Sequence, residues 1–272
     1  YHVPAWIYNG GGAGNFTKEA ANGGQAGETY VPFAQHRSDF INGAFTSNHD
    51  VPRLINQANG TGNHEGTTAA TITYGNAQQN GRAKVQAAIT LLNPGVSWIY
   101  YGDELGMSSN TNEHISKYGN ENCMDIWYRQ PFLWKDSKVT PNYKSGQYLF
   151  ELDEHNKAIL NNGEGIDYNP STGNVSTTNE FYQWYKAIIA LKQYYPKGAK
   201  CEFVACSDNI LTMHIYGGSN ELMIYINTGL NSNQYLVNPG AGYSSLLQLG
   251  GGTTSLGADI GAKAYSISAF IK

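Results

Sequence analysis

Residues 48 to 50, inside the stretch FTSNHDVPR, place an asparagine, a histidine and an aspartate side by side at the end of a short apolar run. A carboxylate beside a neutral imidazole can hold two neighbouring hydroxyls of a sugar and stabilise positive charge developing on its ring. Arg53 follows three residues later and is a candidate for the same pocket. The plainer alternative is a loop cap, because Asn and Asp side chains often accept hydrogen bonds from their own backbone at strand ends. A second pair of acids, Asp103 and Glu104 in YGDELG, ends a later apolar run. There the capping reading is preferred, with both carboxylates serving the turn that follows them.

Such chemistry needs elements that present it. Ile41 to Thr46 is a brief apolar run suited to a buried strand, and Pro52 stops further pairing. GRAKVQAAITLLNPG predicts a helix: Val85, Ala88, Ile89 and Leu92 fall at i, i+3, i+4 and i+7 and form one apolar stripe. Asn93-Pro94-Gly95 ends it. VSWIYY, residues 96 to 101, has the continuous apolar character of a strand buried on both faces of a parallel sheet. Strand, loop, helix and strand make a βαβ unit. Its polar residues then fall at the C-terminal ends of both strands, where a parallel barrel gathers side chains into one pocket.

The surroundings are less regular. Residues 1 to 39 and 56 to 80 are rich in Gly, Asn and Thr and read as loops with short elements. Residues 107 to 179 form a long polar stretch with RQPFLW inside it, a functional loop or one with short elements of its own. NEFYQWYKAIIALKQYYP predicts another helix, with Trp184, Ile188, Leu191 and Tyr195 on one face, Asn179 as its cap and Pro196 as its close. From residue 198 the period changes to two. ILTMHIY, ELMIYIN and KAYSISAFI alternate apolar and polar residues, with Leu211, Met213, Ile215, Leu222, Ile224, Ile226, Tyr265, Ile267, Ala269 and Ile271 facing inward. A small antiparallel β-sandwich is expected there.

Charged residues are 14% of the chain and the net charge is −4, so no electrostatic footprint for nucleic acid or an anionic membrane is visible. The longest apolar run falls well short of a membrane span, and no signal-peptide pattern opens the chain, as for a mature or truncated N-terminus alike. Aromatics at 12%, among many small polar residues, suit an exported protein that handles neutral, hydroxyl-rich ligands. They equally suit a Tyr-rich β-protein with ordinary polar loops. Cys123, Cys201 and Cys206 show no metal-ligand spacing and read as reduced structural thiols. Sequons at Asn15, Asn59 and Asn174 are too common by chance to indicate a source.

FTSNHDVPR, then RAKVQAAITLLNPGVSWIYYGDELGM, then RQPFLW resembles the C-terminal part of the α-amylase superfamily, glycoside hydrolase family 13. The resemblance covers residues 40 to 272. It implies an α/β (TIM) barrel of which only the C-terminal part is present, residues 1–197, followed by the β-sandwich, residues 198–272. In that family two carboxylates about 5 Å apart act as nucleophile and acid in a retaining mechanism on α-glucosidic bonds. A third carboxylate, in an Asn-His-Asp motif, binds ring hydroxyls of the distorted sugar. The resemblance makes Asp50 that catalytic third carboxylate and His49 the hydroxyl-binding histidine, and places Asn48, Arg53, Tyr101 and Arg129 along the same pocket. It implies secretion, calcium held mainly by ligands outside this chain, and an α-glucan as substrate.

The chain also departs from that pattern. No Gly-Phe-Arg-x-Asp nucleophile stretch occurs, nor an early Asp-x-x-x-Asn-His motif. Glu28 in AGETY stands too close to Asp50 for a strand, helix and strand to intervene, so it is rejected as the acid. A full barrel takes about 250 residues, and what precedes the sandwich supplies the last two or three strand–helix units. The expectation is therefore the C-terminal portion of an endo-acting α-glucan hydrolase, with the missing N-terminal part of the barrel as its partner and no nucleic acid or membrane. The alternatives are a non-catalytic carbohydrate-binding or scaffold relative, an ectodomain of the transporter-paired kind, or an oligo-glucosidase or cyclodextrinase.

Overall fold

The alternations and stripes above become a helical layer with a parallel strand pair on one side and an antiparallel sheet on the other. The computed structural model describes residues 43–58, 77–106, 150–152, 158–160, 180–204, 210–229, 238, 240–255 and 263–272. Strand β1 is Gly43–Ala44, helix α1 Leu54–Ala58, helix α2 Ala77–Leu92 and strand β2 Val96–Ser97. β1 and β2 pair in parallel, Gly43 opposite Val96 and Ala44 opposite Ser97. The Trp98 N–H extends the ladder by donating to the Ala44 carbonyl at 2.8 Å. The βαβ unit is therefore present, and both strands deliver their C-terminal ends to the same edge.

Helix α3 spans Glu180–Lys192. It runs alongside α2 in the same direction: Asn80 and Lys84 bond Glu180, Trp184 Nε1 donates to the Lys84 carbonyl, and the Tyr195 hydroxyl beyond the helix donates to the Leu92 carbonyl. Parallel neighbouring helices behind parallel strands are the repeating arrangement of a (β/α) barrel. The stripe Val85, Ala88, Ile89 and Leu92 is wholly buried, as is the face of α3 made by Trp184, Ile188 and Leu191. Asn93 closes α2 by donating its side-chain amide to the Ile89 carbonyl.

The run VSWIYY, expected to be buried on both faces, has only one face covered in this stretch of chain, and regular pairing stops at Trp98. Ala44 and Ser97 point toward the helices, where Ser97 Oγ donates to the Leu91 carbonyl and receives Lys192 Nζ. The other face, with Phe45, Val96 and Trp98, is open, and Trp98 is 63% exposed. Side chains of a strand alternate between faces, so Ala44 and Ser97 turn to the helices while Phe45, Val96 and Trp98 face solvent.

Between the helices, β3 (Phe150–Leu152) and β4 (Ala158–Leu160) form an antiparallel hairpin within the stretch read as irregular. The C-terminal sheet has the order β5-β6-β7-β9-β8, all antiparallel: Lys200–Val204, Ile210–Tyr216, Leu222–Asn227, Ile267–Ile271 and Ser244–Leu249. Its inner face, Leu211, Met213, Ile215, Leu222, Ile224, Ile226, Ile267 and Ala269, joins α1, α2 and α3 in one continuous core. On the outer face Ile210, Tyr225 and Phe270 form a small second cluster. Among the described residues this single sheet represents the expected sandwich.

Candidate active site

Residues 47 to 53 form the loop that leaves β1, with His49 and Asp50 at its tip. Asn48 and Val51 make an isolated antiparallel bridge. The Asp50 N–H donates to Asn48 Oδ1 at 2.7 Å, an Asx turn that folds the tip back on itself. The capping alternative therefore describes Asn48, whose carbonyl is spent on orienting Asp50. Asp50 and His49 stand beside it at the tip. Their side chains are 55% and 62% exposed, with His49 Nε2 3.2 Å from Asp50 Oδ2. An exposed carboxylate touching an imidazole at the C-terminal edge of a parallel pair can accept hydrogen bonds from a polyol while the ring supplies a second contact.

Arg53 was expected in the pocket beside them, and here the structure corrects the sequence reading. Its side chain is 0% exposed. Nη1 donates to the Tyr101 carbonyl at 2.5 Å, and the guanidinium lies 5.0 Å from the Tyr100 ring centroid and 4.8 Å from that of Tyr101. Delocalised charge and a planar fork let Arg stack on rings and bond at its edge together, which makes its burial tolerable. Arg53 thus ties the first loop to the second from beneath. Tyr101, a candidate pocket residue, is the partly buried anchor of that tie.

The second loop explains YGDELG. Gly102 (φ 93°) and Gly106 (φ 69°) both adopt the left-handed conformation at the ends of a single 3-10 turn, Asp103–Leu105. A Cβ at Gly106 would also lie 2.8 Å from the Phe181 ring, so that position needs glycine twice over. Glu104 does cap its own turn: Oε2 accepts the Gly102 N–H at 2.8 Å. Asp103 does not. Its buried carboxylate reaches across to the first loop, accepting the Ser47 hydroxyl on Oδ2 and the Leu54 N–H on Oδ1 at 3.4 Å.

Burial pushes the Asp103 carboxyl up to about 6, against the opposing pull of Ser47, Arg53 and the Leu54 amide, while Glu104 adds to the rise. Glu104 is likewise raised by burial. On α3, Tyr185 is raised well above an ordinary phenol by burial and then by these two acids. Sequence reading gave Asp103 to local capping because its partners stand 49 and 56 positions away. The only sequence signal was two acids at a strand end facing a loop with a basic residue.

Arg129, Glu28, Cys123 and Cys206 lie outside the described residues. Cys201 is a free thiol, and burial pushes it up to about 12, which leaves it unreactive. Among the described residues no group of three or more His, Cys, Asp and Glu side chains is placed to hold a metal ion. Also among the described residues, no helix is long and apolar enough to cross a membrane.

Parallel strands backed by parallel helices, acids on the loops that leave them at one edge, and an antiparallel sheet after them are the arrangement of a (β/α) barrel section followed by a C-terminal sheet. The family model described as the alpha-amylase catalytic domain matches residues 27–197, and this chain belongs to that family. The alpha-amylase SusG of Bacteroides thetaiotaomicron is 33% identical over 190 residues, which is 70% of this chain and 20% of that protein. The crystal structure of an alpha-amylase from H. orenii superposes with TM-score 0.59 at 18% identity, covering 100% of this chain and 48% of that one. The trehalose-6-phosphate hydrolase of Bacillus licheniformis gives 0.53 at 14% identity, over 85% of this chain and 43% of its own. These two structures share the fold. The chain spans less than half of either, and a fifth of the curated relative.

Proposed function

We propose that this chain is the C-terminal portion of a retaining α-glucan hydrolase that cleaves internal α-1,4-glucosidic bonds of starch-like polymers. The observation that carries the reading is Asp50: an exposed carboxylate beside His49 at the strand edge where such barrels work. In this reading Asp50 accepts hydrogen bonds from two ring hydroxyls of the sugar whose bond is being broken, most strongly when the ring flattens. Binding that tightens in the transition state raises turnover rather than affinity. His49 adds a contact to a neighbouring hydroxyl. The nucleophile and the acid come from the barrel's earlier strands, for which the open face of Phe45, Val96 and Trp98 offers an apolar seat. Calcium bound by that earlier part, and secretion toward a polymer that does not cross membranes, belong to the same proposal.

A second reading rests on the fold neighbours. A trehalose-6-phosphate hydrolase shares this architecture, so a small disaccharide is the competing substrate class. One experiment separates these and tests the whole. The complete protein is assayed on starch, maltooligosaccharides and trehalose derivatives, as wild type and as Asp50→Asn. Starch cleaved with random shortening, and a loss of on the order of a thousandfold or more in Asp50→Asn with the fold retained, is the expected result. Wild-type rates in the variant contradict the role of Asp50. An inert wild type that still binds glucan marks a non-catalytic relative.

A further inference from the structure

From the hydrogen bonds at the base of the two loops we infer that Asp103, through Ser47, is a positioning residue for Asp50. This rests on the reading of Asp50 given above and extends it to a residue that touches no sugar. The loop that carries Asp50 has two stems, Ser47 on the incoming side and Arg53–Leu54 on the outgoing side. A single carboxylate holds both. Asp103 accepts the Ser47 hydroxyl with one oxygen and the Leu54 amide with the other. Arg53, with Asp103 within its electrostatic reach, binds the outgoing stem to the Tyr101 carbonyl two residues before Asp103.

Everything at this base is buried, Ser47, Arg53, Leu54 and Asp103 alike, whereas the tip residues His49 and Asp50 are exposed. The tip's internal bonds, Asn48 to Asp50 and Asn48 to Val51, fix its shape but not its place on the sheet. Gln57 joins the two sides once more, its amide donating to the Thr46 carbonyl of the incoming side and the Pro52 carbonyl of the outgoing side at 3.0 and 2.5 Å. Asp103 shares with the Arg53–Tyr101 bond and the β1–β2 ladder the placement of this loop relative to the neighbouring strand, and so to whatever that strand's loop presents. Displacing a reacting contact by about 1 Å can cost about a hundredfold in rate.

The test uses the complete enzyme with Ser47→Ala, Ser47→Thr, Asp103→Asn and Asp50→Asn. Ser47→Ala removes one hydroxyl and nothing else from a small buried site. Its kcat is expected to fall on the order of tenfold, counted per folded molecule by active-site titration, with KM within about twofold. Ser47→Thr keeps the hydroxyl and is expected to restore kcat. Asp103→Asn, where it folds, is expected to lose more kcat than Ser47→Ala at a similarly steady KM. If Ser47→Ala keeps full kcat per folded molecule and changes only melting temperature, while Asp50→Asn is inactive, the link from Asp103 to Asp50 is overturned and the reading of Asp50 stands. If Asp50→Asn is itself fully active, the reading of Asp50 fails, and with it the thing to be positioned.

Discussion

The ring of Tyr265 packs against the backbone of α2 at Gly81, so closely that a Cβ there would stand 2.3 Å from the ring. Tyr265 holds φ at 51° to do so, and it leads into β9 of the C-terminal sheet. The contact docks that sheet onto the barrel helices, beside a second close approach in which Gly250 meets Trp184 of α3. Gly81→Ala sets two effects against each other. Helix propensity favours Ala by about 1 kcal/mol. Overpacking against a ring that the sheet holds in place costs about 1–3 kcal/mol. The ring sits at the root of a strand and has no free end to yield, so net destabilisation is expected. Chemical denaturation checks it, and a variant more stable than wild type would mean that Tyr265 moves aside.

The end of α2 supplies a smaller case. The last carbonyls of a helix lack partners within it, and at Leu92 that role falls to the Tyr195 hydroxyl at 2.6 Å. Tyr195→Phe keeps the ring in the core and deletes only the donor. A loss of about 0.5–1.5 kcal/mol is expected. A loss near zero in thermal unfolding would show that water replaces the phenol.

The elements of this fold were legible wherever one face of one segment decides the pattern. Val85, Ala88, Ile89 and Leu92 announced α2, and the alternation in Ile210–Tyr216 and Leu222–Asn227 announced β6 and β7, because burial of a single face imposes its period. Ser244–Leu249 was not legible: a register shift between Ser245 and Leu247 breaks its alternation. Nor was α1, five residues whose first amide is capped from Asp103, 49 positions away. At the candidate site, the Asn-His-Asp triplet stood out because those residue types cluster locally. The burial of Arg53 and the reach of Asp103 did not, since both depend on which strand ends the sheet brings together.

Asp103 also predicts a pH dependence. Its carboxyl is raised from 3.8 to about 6 in the folded chain, so between those values the folded state binds more protons than the unfolded one. Stability contributed by the protonated form is complete below about pH 4 and is lost as pH rises through about 6. The difference between wild type and Asp103→Asn is the quantity to measure, since carboxylates remote from Asp103 cancel in it. Relative to the variant, wild type is expected to lose up to about 3 kcal/mol between pH 4 and 7. A difference that stays flat over that range would place Asp103 ionised at both ends, held by Ser47 and Arg53 against the cost of burial.

Trp98 gives the sharpest contrast between this stretch of chain and the complete protein. Its ring is 63% exposed on the face it shares with Phe45 and Val96, across from Gly43. Exposed substitutions remote from any packing usually change stability by no more than about 0.5 kcal/mol. Trp98→Ala in the 272-residue chain expressed alone is therefore expected to be nearly neutral for unfolding, and to lessen self-association through that face. In the complete protein the same face is proposed to meet earlier barrel strands. Removing a buried Trp side chain there costs about 3–5 kcal/mol. Tryptophan emission reads the same difference, red-shifted for an exposed Trp98 and blue-shifted once it is covered. Equal costs in the two contexts would mean that the face stays open and that the earlier strands close the barrel elsewhere.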